Sequence, residues 1–144
     1  MKTIKLPATI NELSTINEIV DQFIVDNDEL KFKVQLIVEE LLTNIEKYAY
    51  EGVNDEDKYL NFVAGYVYFD GQQSVFLQLV YGGSSFDPFV DAAMPDVNQD
   101  ITERNAGGLG LYLIKQVATH YTYARIDDYN QVQIYLDVSN NQAD

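Results

Sequence analysis

The sequence contains no cysteine, which excludes disulfide bonds and thiol chemistry and argues against a small secreted scaffold held by disulfides. Basic residues are also scarce: 9 lysines and arginines stand against 23 aspartates and glutamates, a formal charge of −14. Because a phosphate-binding surface needs a basic footprint, this charge argues against nucleic acid and anionic membranes as partners. The negative charge would suit a protein partner with a basic surface. A high negative charge that only aids solubility is an equally good explanation.

Long apolar runs are missing as well. The stretch MKTIKLPATINEL lacks the continuous apolar core of a signal peptide, and no stretch approaches the ~20 apolar residues of a membrane span. The single histidine, His120, has no neighbours in sequence that would complete a metal or catalytic site, so we expect a structural role for it. These absences favour a cytoplasmic protein of bacterial type.

The residues that are present favour a globular domain. The chain has 144 residues, 47% of them apolar, which is enough for one domain with a buried core, and we expect that domain to span residues 1–144. Periodicity and turn signals predict the order βααββ–loop–αββ. This order is typical of an α+β protein: a two-layer α/β sandwich with a mixed, mostly antiparallel sheet and helices on one face.

Three helices are predicted from the spacing of apolar residues. The first follows Thr9 and Glu12, which fit a T-x-x-E capping box. The second is expected from about residue 31 to residue 50, with an apolar stripe that begins at Phe32. The third is expected from about residue 109 to residue 121 and would include Tyr121 in its apolar stripe.

Strands and one long loop account for the rest. MKTIKLPA is typical of an edge strand, and Asp70-Gly71 is a hairpin signal between two strands rich in β-branched and aromatic residues. A second hairpin is expected in YTYARIDD and NQVQIYLDV. Residues 82–106 show little periodicity, and loops of this length in compact domains are usually functional lids or disordered.

Polar residues line one edge of the second predicted helix, in EELLTNIEKYAY. Glu40 and Asn44 are four residues apart and Lys47 lies on the next turn, so helical geometry places them along one face. A carboxylate base, an amide oxygen for a hard cation and an ammonium group for an anion are what a magnesium–phosphate site needs. On spacing alone, an ordinary solvated face is the commoner explanation of such a triplet.

Two further stretches extend this pattern, a glycine turn that ends in Phe-Asp-Pro and the later run G-G-L-G-L-x-L-I. Together with E-x-x-x-N and N-x-x-K-Y on the second helix, they resemble the boxes of the GHKL superfamily of ATPases and kinases, and within it the small anti-sigma factor serine/threonine kinases. The boxes stand in the family's order and the resemblance covers nearly the whole chain. The matching residues are Glu40, Asn44, Lys47, Tyr48, Ala49, Tyr50, Gly83, Phe86, Asp87, Pro88, Gly107, Gly108, Leu109, Gly110, Leu111, Leu113 and Ile114.

The resemblance implies a Bergerat-type nucleotide site between helices and sheet, with ATP and Mg²⁺ as cofactors. Glu40 would be the general base and Asn44 the metal ligand. Residues from about 89 to 106 would form the ATP lid, and Arg104 would close on the terminal phosphate. Backbone N–H groups at a helix N-terminus favour phosphate, which is the role implied for the second glycine box. The implied nucleotide contacts are Asn44, Lys47, Tyr48, Tyr81, Gly83, Phe86, Arg104, Gly107, Gly108, Leu109, Gly110 and Leu111.

One residue departs from the family pattern. Two residues before the glycine of the first glycine box, the family has an aspartate that accepts a hydrogen bond from the adenine amino group, and this chain has Tyr81. Strand alternation predicts that Tyr81 faces the helices. Its ring would either fill the base pocket or turn aside, and loss of one charge-assisted hydrogen bond costs roughly 1.5–3 kcal/mol, about one to two decades of affinity.

Three functions follow from this reading. The first is a regulatory serine/threonine kinase that binds ATP–Mg²⁺ and either sequesters a sigma factor or phosphorylates a small anti-sigma antagonist-type protein on a serine. The second is a protein-interaction module on the same fold, without nucleotide or catalysis. The third is a sensor ATPase without a protein substrate. A homodimer is an additional option, because kinases of this type often pair.

Overall fold

The structure, a computed structural model, describes residues 1–91 and 109–139. Their order is strand, two helices, two strands, one helix and two strands, in agreement with the sequence-based prediction. The elements are β1 (Lys2–Pro7), α1 (Leu13–Phe23), α2 (Asp28–Asn44), β2 (Tyr59–Phe69), β3 (Gln72–Tyr81), α3 (Leu109–Val117), β4 (His120–Ile126) and β5 (Tyr129–Asp137). Short 3₁₀ turns lie at Ile10–Glu12 and Asp55–Asp57, and a π-helical turn lies at Ile45–Ala49.

The five strands form one sheet in the order β1-β2-β3-β5-β4. All four pairings are antiparallel, so no parallel pairing of a mixed sheet is present in the described part of the chain. β1 is an edge strand, as predicted. Asp70 and Gly71 both have positive φ, 53° and 79°, which is the backbone of a two-residue type I′ turn and confirms the first predicted hairpin.

Alternation along the strands separates a core face from an outer face. Leu60 and Phe62 on β2, and Leu77 and Leu79 on β3, are fully buried. The residues between them are only partly buried. The buried face packs against apolar residues of the helices, because one face of the sheet carries nearly all its large aliphatic side chains. This is the predicted two-layer α+β sandwich.

The first helix begins differently from the prediction. The side chain of Thr9 makes no capping hydrogen bond, so the predicted capping box is wrong. Instead the chain makes a 3₁₀ turn, in which the Glu12 amide donates to the Thr9 carbonyl at 3.0 Å. The Ile10 amide donates to Glu46 Oε2 at 3.0 Å. A carboxylate 36 residues away therefore satisfies this donor, and local spacing could not reveal it.

The other two helices also differ in their details. Phe32 does not begin a core stripe: its side chain is 66% exposed, and Leu30 and Val34 are buried instead. The third helix ends at Val117 rather than near residue 121. His120 begins β4, and its ring stacks on Phe69 with 5.3 Å between centroids, consistent with the expected structural role. In α3, Leu111 and Ile114 are fully buried and belong to the core.

No helix within residues 1–91 and 109–139 combines the length and the apolar character needed to cross a membrane.

Candidate functional site

The centre of the candidate site is the pair formed by Glu40 and Asn44 on α2. Glu40 is 8% exposed. The Asn44 amide nitrogen donates to the Glu40 backbone carbonyl at 2.9 Å and to Glu40 Oε1 at 3.0 Å. Because both acceptors are oxygens, the NH₂ group must face them, and Asn44 Oδ1 points elsewhere. Among the described residues no hydrogen bond involves Asn44 Oδ1, the oxygen to which the resemblance assigns the cation.

A close approach of α3 covers the Glu40 side chain. Gly110 lies so near to α2 that a Cβ atom there would overlap Glu40 Cβ, and would lie 2.9 Å from Glu40 Cγ and 3.0 Å from the Leu36 carbonyl oxygen. Only glycine fits this contact without a shift of the helices. The structure therefore brings Gly110, of the run G-G-L-G-L-x-L-I, against Glu40, of the E-x-x-x-N pattern. Leu111 contributes a fully buried side chain to the core beside this contact.

Lys47 and Tyr48 do not continue the α-helical face of Asn44. They lie in the π-helical turn Ile45–Ala49, where the Tyr50 amide donates to the Ile45 carbonyl. The wider turn directs Tyr48 onto Phe86, with 5.3 Å between ring centroids and 29° between planes. The exposed Lys47 ammonium lies 5.1 Å from the Tyr48 ring centroid. π-Helical turns inside helices are frequent at functional sites.

Tyr81 lies at the end of β3 and is fully buried on the helix-facing side, as strand alternation predicted. Its hydroxyl donates to the Phe86 carbonyl at 2.8 Å, so the phenol bridges both ends of the loop 82–86. Burial raises the pKa of Tyr81 well above its usual range. The side chain is therefore neutral at physiological pH, and it supplies no carboxylate to accept a hydrogen bond from an adenine amino group.

Gly83 is required by a close contact with the end of the π-helical turn. It has a φ of +74°, and a Cβ atom there would overlap the Ala49 carbonyl oxygen. The next residue, Ser84, donates its amide to the same carbonyl at 2.8 Å. The first glycine box is thus fixed to the segment that carries Lys47 and Tyr48.

Two residues hold this loop: Tyr50, which the sequence matched to the family boxes without a role in the site, and Asn130, which it did not single out. The Tyr50 hydroxyl accepts from the Gly82 amide at 2.7 Å and donates to the Tyr59 carbonyl at 2.6 Å. Asn130, fully buried at the start of β5, bonds to several backbone groups of the loop. A buried asparagine in an otherwise alternating strand is a visible signal, since buried amides need partners. The sequence does not identify those partners.

Part of the predicted site lies outside the described residues. Arg104, Gly107 and Gly108 lie outside the described residues, as does most of the predicted lid at 89–106. For Leu109 the structure gives only its position in α3. Phe89 belongs to the core rather than to a lid, because it is buried and packs on Tyr121 at 4.7 Å between centroids.

The donor set suits Mg²⁺ held together with phosphate rather than by the protein alone. Within the described segments, no cluster of three or more His, Asp or Glu side chains could hold a metal ion. Mg²⁺ commonly keeps several waters and takes only one or two protein oxygens when phosphates supply the rest. Asn44 Oδ1, oriented by Glu40, fits that pattern. At the base end, the resemblance implies an adenine-binding aspartate where this chain has the neutral, buried Tyr81, so this end fits adenine less well.

The comparisons define the class of protein. The family model described as "Histidine kinase-like ATPase domain" matches residues 6–136, and the chain belongs to this family. The histidine kinase domain of a blue-light activated histidine kinase from Erythrobacter litoralis has a similar fold, with a TM-score of 0.51 and 15% identity. The match covers 94% of this chain and 63% of that one, and at this identity it shows the fold alone.

No curated protein matches the chain. The family match confirms the resemblance to histidine kinase-like, GHKL-type ATPase domains. Assignment to the anti-sigma factor kinases stays a prediction.

Proposed function

We propose that this chain is a regulatory ATP-binding protein similar to anti-sigma factor serine/threonine kinases. It would use ATP and Mg²⁺ to phosphorylate a protein partner, or would sequester that partner, in a bacterial partner-switching pathway. Membership in the histidine kinase-like ATPase family supports the binding of ATP. The formal charge of −14 suits a sigma factor or antagonist-type protein with a basic surface.

The observation that carries the proposal is the Glu40–Asn44 pair under Gly110. It joins the two most specific boxes of the sequence at one point, and its hydrogen bonds orient the amide oxygen outward from the carboxylate. Bound Mg²⁺ would neutralise phosphate charge during phosphoryl transfer. Asn44 would provide one ligand to it, and the Glu40 carboxylate would accept the proton of a substrate hydroxyl.

The first experiment is an equilibrium titration with a fluorescent ATP analogue, with and without Mg²⁺. Saturable binding that depends on Mg²⁺ is expected for the wild type, and N44A should lose this dependence. E40Q should keep nucleotide binding but lose about 10²–10⁴-fold of phosphoryl transfer to a partner, because it lacks the base. E39Q, an exposed change one residue away on α2, is the matched control and should behave as the wild type.

The outcomes separate the three functions. A phosphoserine on the partner supports the kinase, whereas hydrolysis without phosphoprotein supports the sensor ATPase. If the wild type shows no Mg²⁺-dependent nucleotide binding, the proposal is wrong. The protein-interaction module without nucleotide is then the function supported.

Buried Tyr81 is the specific observation that favours that second function. Its ring occupies the interior at the position of the family's adenine-binding aspartate. In Y81D the carboxylate could no longer donate to the Phe86 carbonyl, so the unliganded variant should be less stable than the wild type. ATP should then raise the melting temperature of Y81D by more than that of the wild type if the pocket is otherwise sound. Equal shifts would show that Tyr81 does not obstruct the base.

A further inference from the structure

The buried side chain of Asn130 uses both ends of its amide on one short loop. Its nitrogen donates to the carbonyls of Gly82 at 2.9 Å and Ser84 at 3.0 Å, and to that of Tyr81 at 3.3 Å. Its oxygen accepts from the Phe86 amide at 3.0 Å. One side chain thus binds four of the six residues from 81 to 86.

The orientation of this amide is fixed by a second contact. The Tyr123 hydroxyl on β4 donates to Asn130 Oδ1 at 2.5 Å, and it also lies 3.3 Å from the Ser85 hydroxyl. A carbonyl-rich loop needs donors and the Phe86 amide needs an acceptor, so neither aspartate nor an aliphatic residue can replace both halves of the amide.

The place of Asn130 in the sheet explains why it reaches the loop. It pairs with Tyr81 in the antiparallel register of β3 and β5, directly where β3 ends and the loop begins. The loop then runs to Phe86, whose ring stacks on Tyr48. Without Asn130, the Gly82 and Ser84 carbonyls and the Phe86 amide would lose this partner, and Phe86 would be left with its Tyr48 and Tyr81 contacts.

We propose that Asn130 is a positioning residue of the nucleotide site: it holds residues 82–86 in the bound geometry before the nucleotide arrives, and so sets the wall made by Phe86 and Tyr48. The inference rests on the proposed nucleotide function, and it assigns a role outside the family boxes. A loop that is already ordered loses less conformational entropy when the nucleotide binds. Loss of this preorganisation should therefore lower the affinity for nucleotide.

The test compares three variants of the full chain. N130A removes all the loop bonds of the amide, and Y123F removes only the hydroxyl that orients it. Q133A is the matched control, because Gln133 lies on the same strand and its side-chain amide donates at 2.8 Å to Gln78, on the outer face and away from the loop 82–86. Each variant is measured where circular dichroism shows it fully folded, by hydrogen exchange and by titration with a fluorescent ATP analogue.

In N130A, amide hydrogen exchange within residues 82–86 should be faster by about tenfold or more, whereas exchange in β2 should not change. The affinity of N130A for the ATP analogue should fall by about tenfold. Y123F should change the exchange rate in residues 82–86 and the affinity for the ATP analogue in the same directions, but by less. If N130A does not fold, the result for Y123F tests the positioning role. Q133A should change neither. Unchanged affinity in folded N130A and Y123F, or exchange that rises equally in β2, would overturn the positioning role.

Failure of the proposed function gives a different result. A wild type that binds no nucleotide would overturn that function, whereas local acceleration of exchange in N130A would still support Asn130 as the residue that sets the loop.

Discussion

A single methyl group at Gly110 tests the contact that joins the two boxes. In G110A the new Cβ would lie 2.9 Å from Glu40 Cγ and 3.0 Å from the Leu36 carbonyl oxygen, and closer still to Glu40 Cβ. Carbon atoms in contact are normally about 3.5–4.0 Å apart, so α3 or the Glu40 side chain must move by roughly 1 Å. Leu36 cannot relieve the overlap by a rotamer change, because the atom involved is backbone.

Two opposing terms set the magnitude. Overpacking of this kind costs about 1–3 kcal/mol, and replacement of glycine by alanine within a helix returns about 0.5–1 kcal/mol. We therefore expect a net loss of about 1–2 kcal/mol in the free energy of unfolding, or a melting temperature lower by about 3–8 °C. Displacement of Glu40 should also disturb its bond to Asn44 and weaken Mg²⁺–ATP binding about tenfold.

Thermal denaturation and the nucleotide titration measure both effects on the same samples. Q116A, an alanine substitution at an exposed position of α3, is the control and should leave stability and affinity nearly unchanged. A G110A variant that melts at a higher temperature than the wild type would refute the reasoning, because that is the result expected for glycine in an open helix position.

Three further outcomes are expected. Y81F leaves the Phe86 carbonyl without its donor and should lower the free energy of unfolding by about 1–3 kcal/mol, as measured by urea denaturation; an unchanged urea midpoint would contradict this. Burial raises the pKa of Tyr81 and of Tyr50, so the unfolded chain loses these protons near pH 10 while the folded chain keeps them. Stability should therefore fall above about pH 10, by up to about 1.4 kcal/mol per pH unit for each tyrosine, and the slope should be smaller in Y81F. E46A removes the acceptor of the Ile10 amide and should destabilise the start of the first helix by about 0.5–2 kcal/mol; faster exchange of that amide, with E39A unaffected, checks it.

The candidate site was predictable where its chemistry depends on spacing within one helix. Glu40 and Asn44 are four residues apart, so an α-helix brings them together whatever the rest of the chain does. The prediction for Lys47 and Tyr48 was less complete, because a π-helical turn interrupts the regular period and directs Tyr48 onto Phe86. No feature of the local pattern distinguishes such a turn from a continuing α-helix.

Other differences have the same origin. The capping box at Thr9 is absent because the chain makes a 3₁₀ turn there: the Glu12 amide donates to the Thr9 carbonyl, and Glu46, distant in sequence, accepts from the Ile10 amide. Phe32 has the spacing of a core residue but lies on the outer side of α2, since the apolar pattern of that helix allows more than one stripe. In both cases the sequence pattern that supports the prediction is local. The contacts that determine the environment of the residue come from segments distant in sequence.

The sequence by itself determined the order of the elements, the alternation that buries Tyr81, the type I′ turn at Asp70-Gly71 and the Glu40–Asn44 pair, because each follows from backbone periods of a few residues. Only the tertiary structure decided that Gly110 lies against Glu40 and that Asn130 holds the loop at Gly82. These contacts join segments 48 and more residues apart, and their geometry depends on how the helices and the sheet pack together.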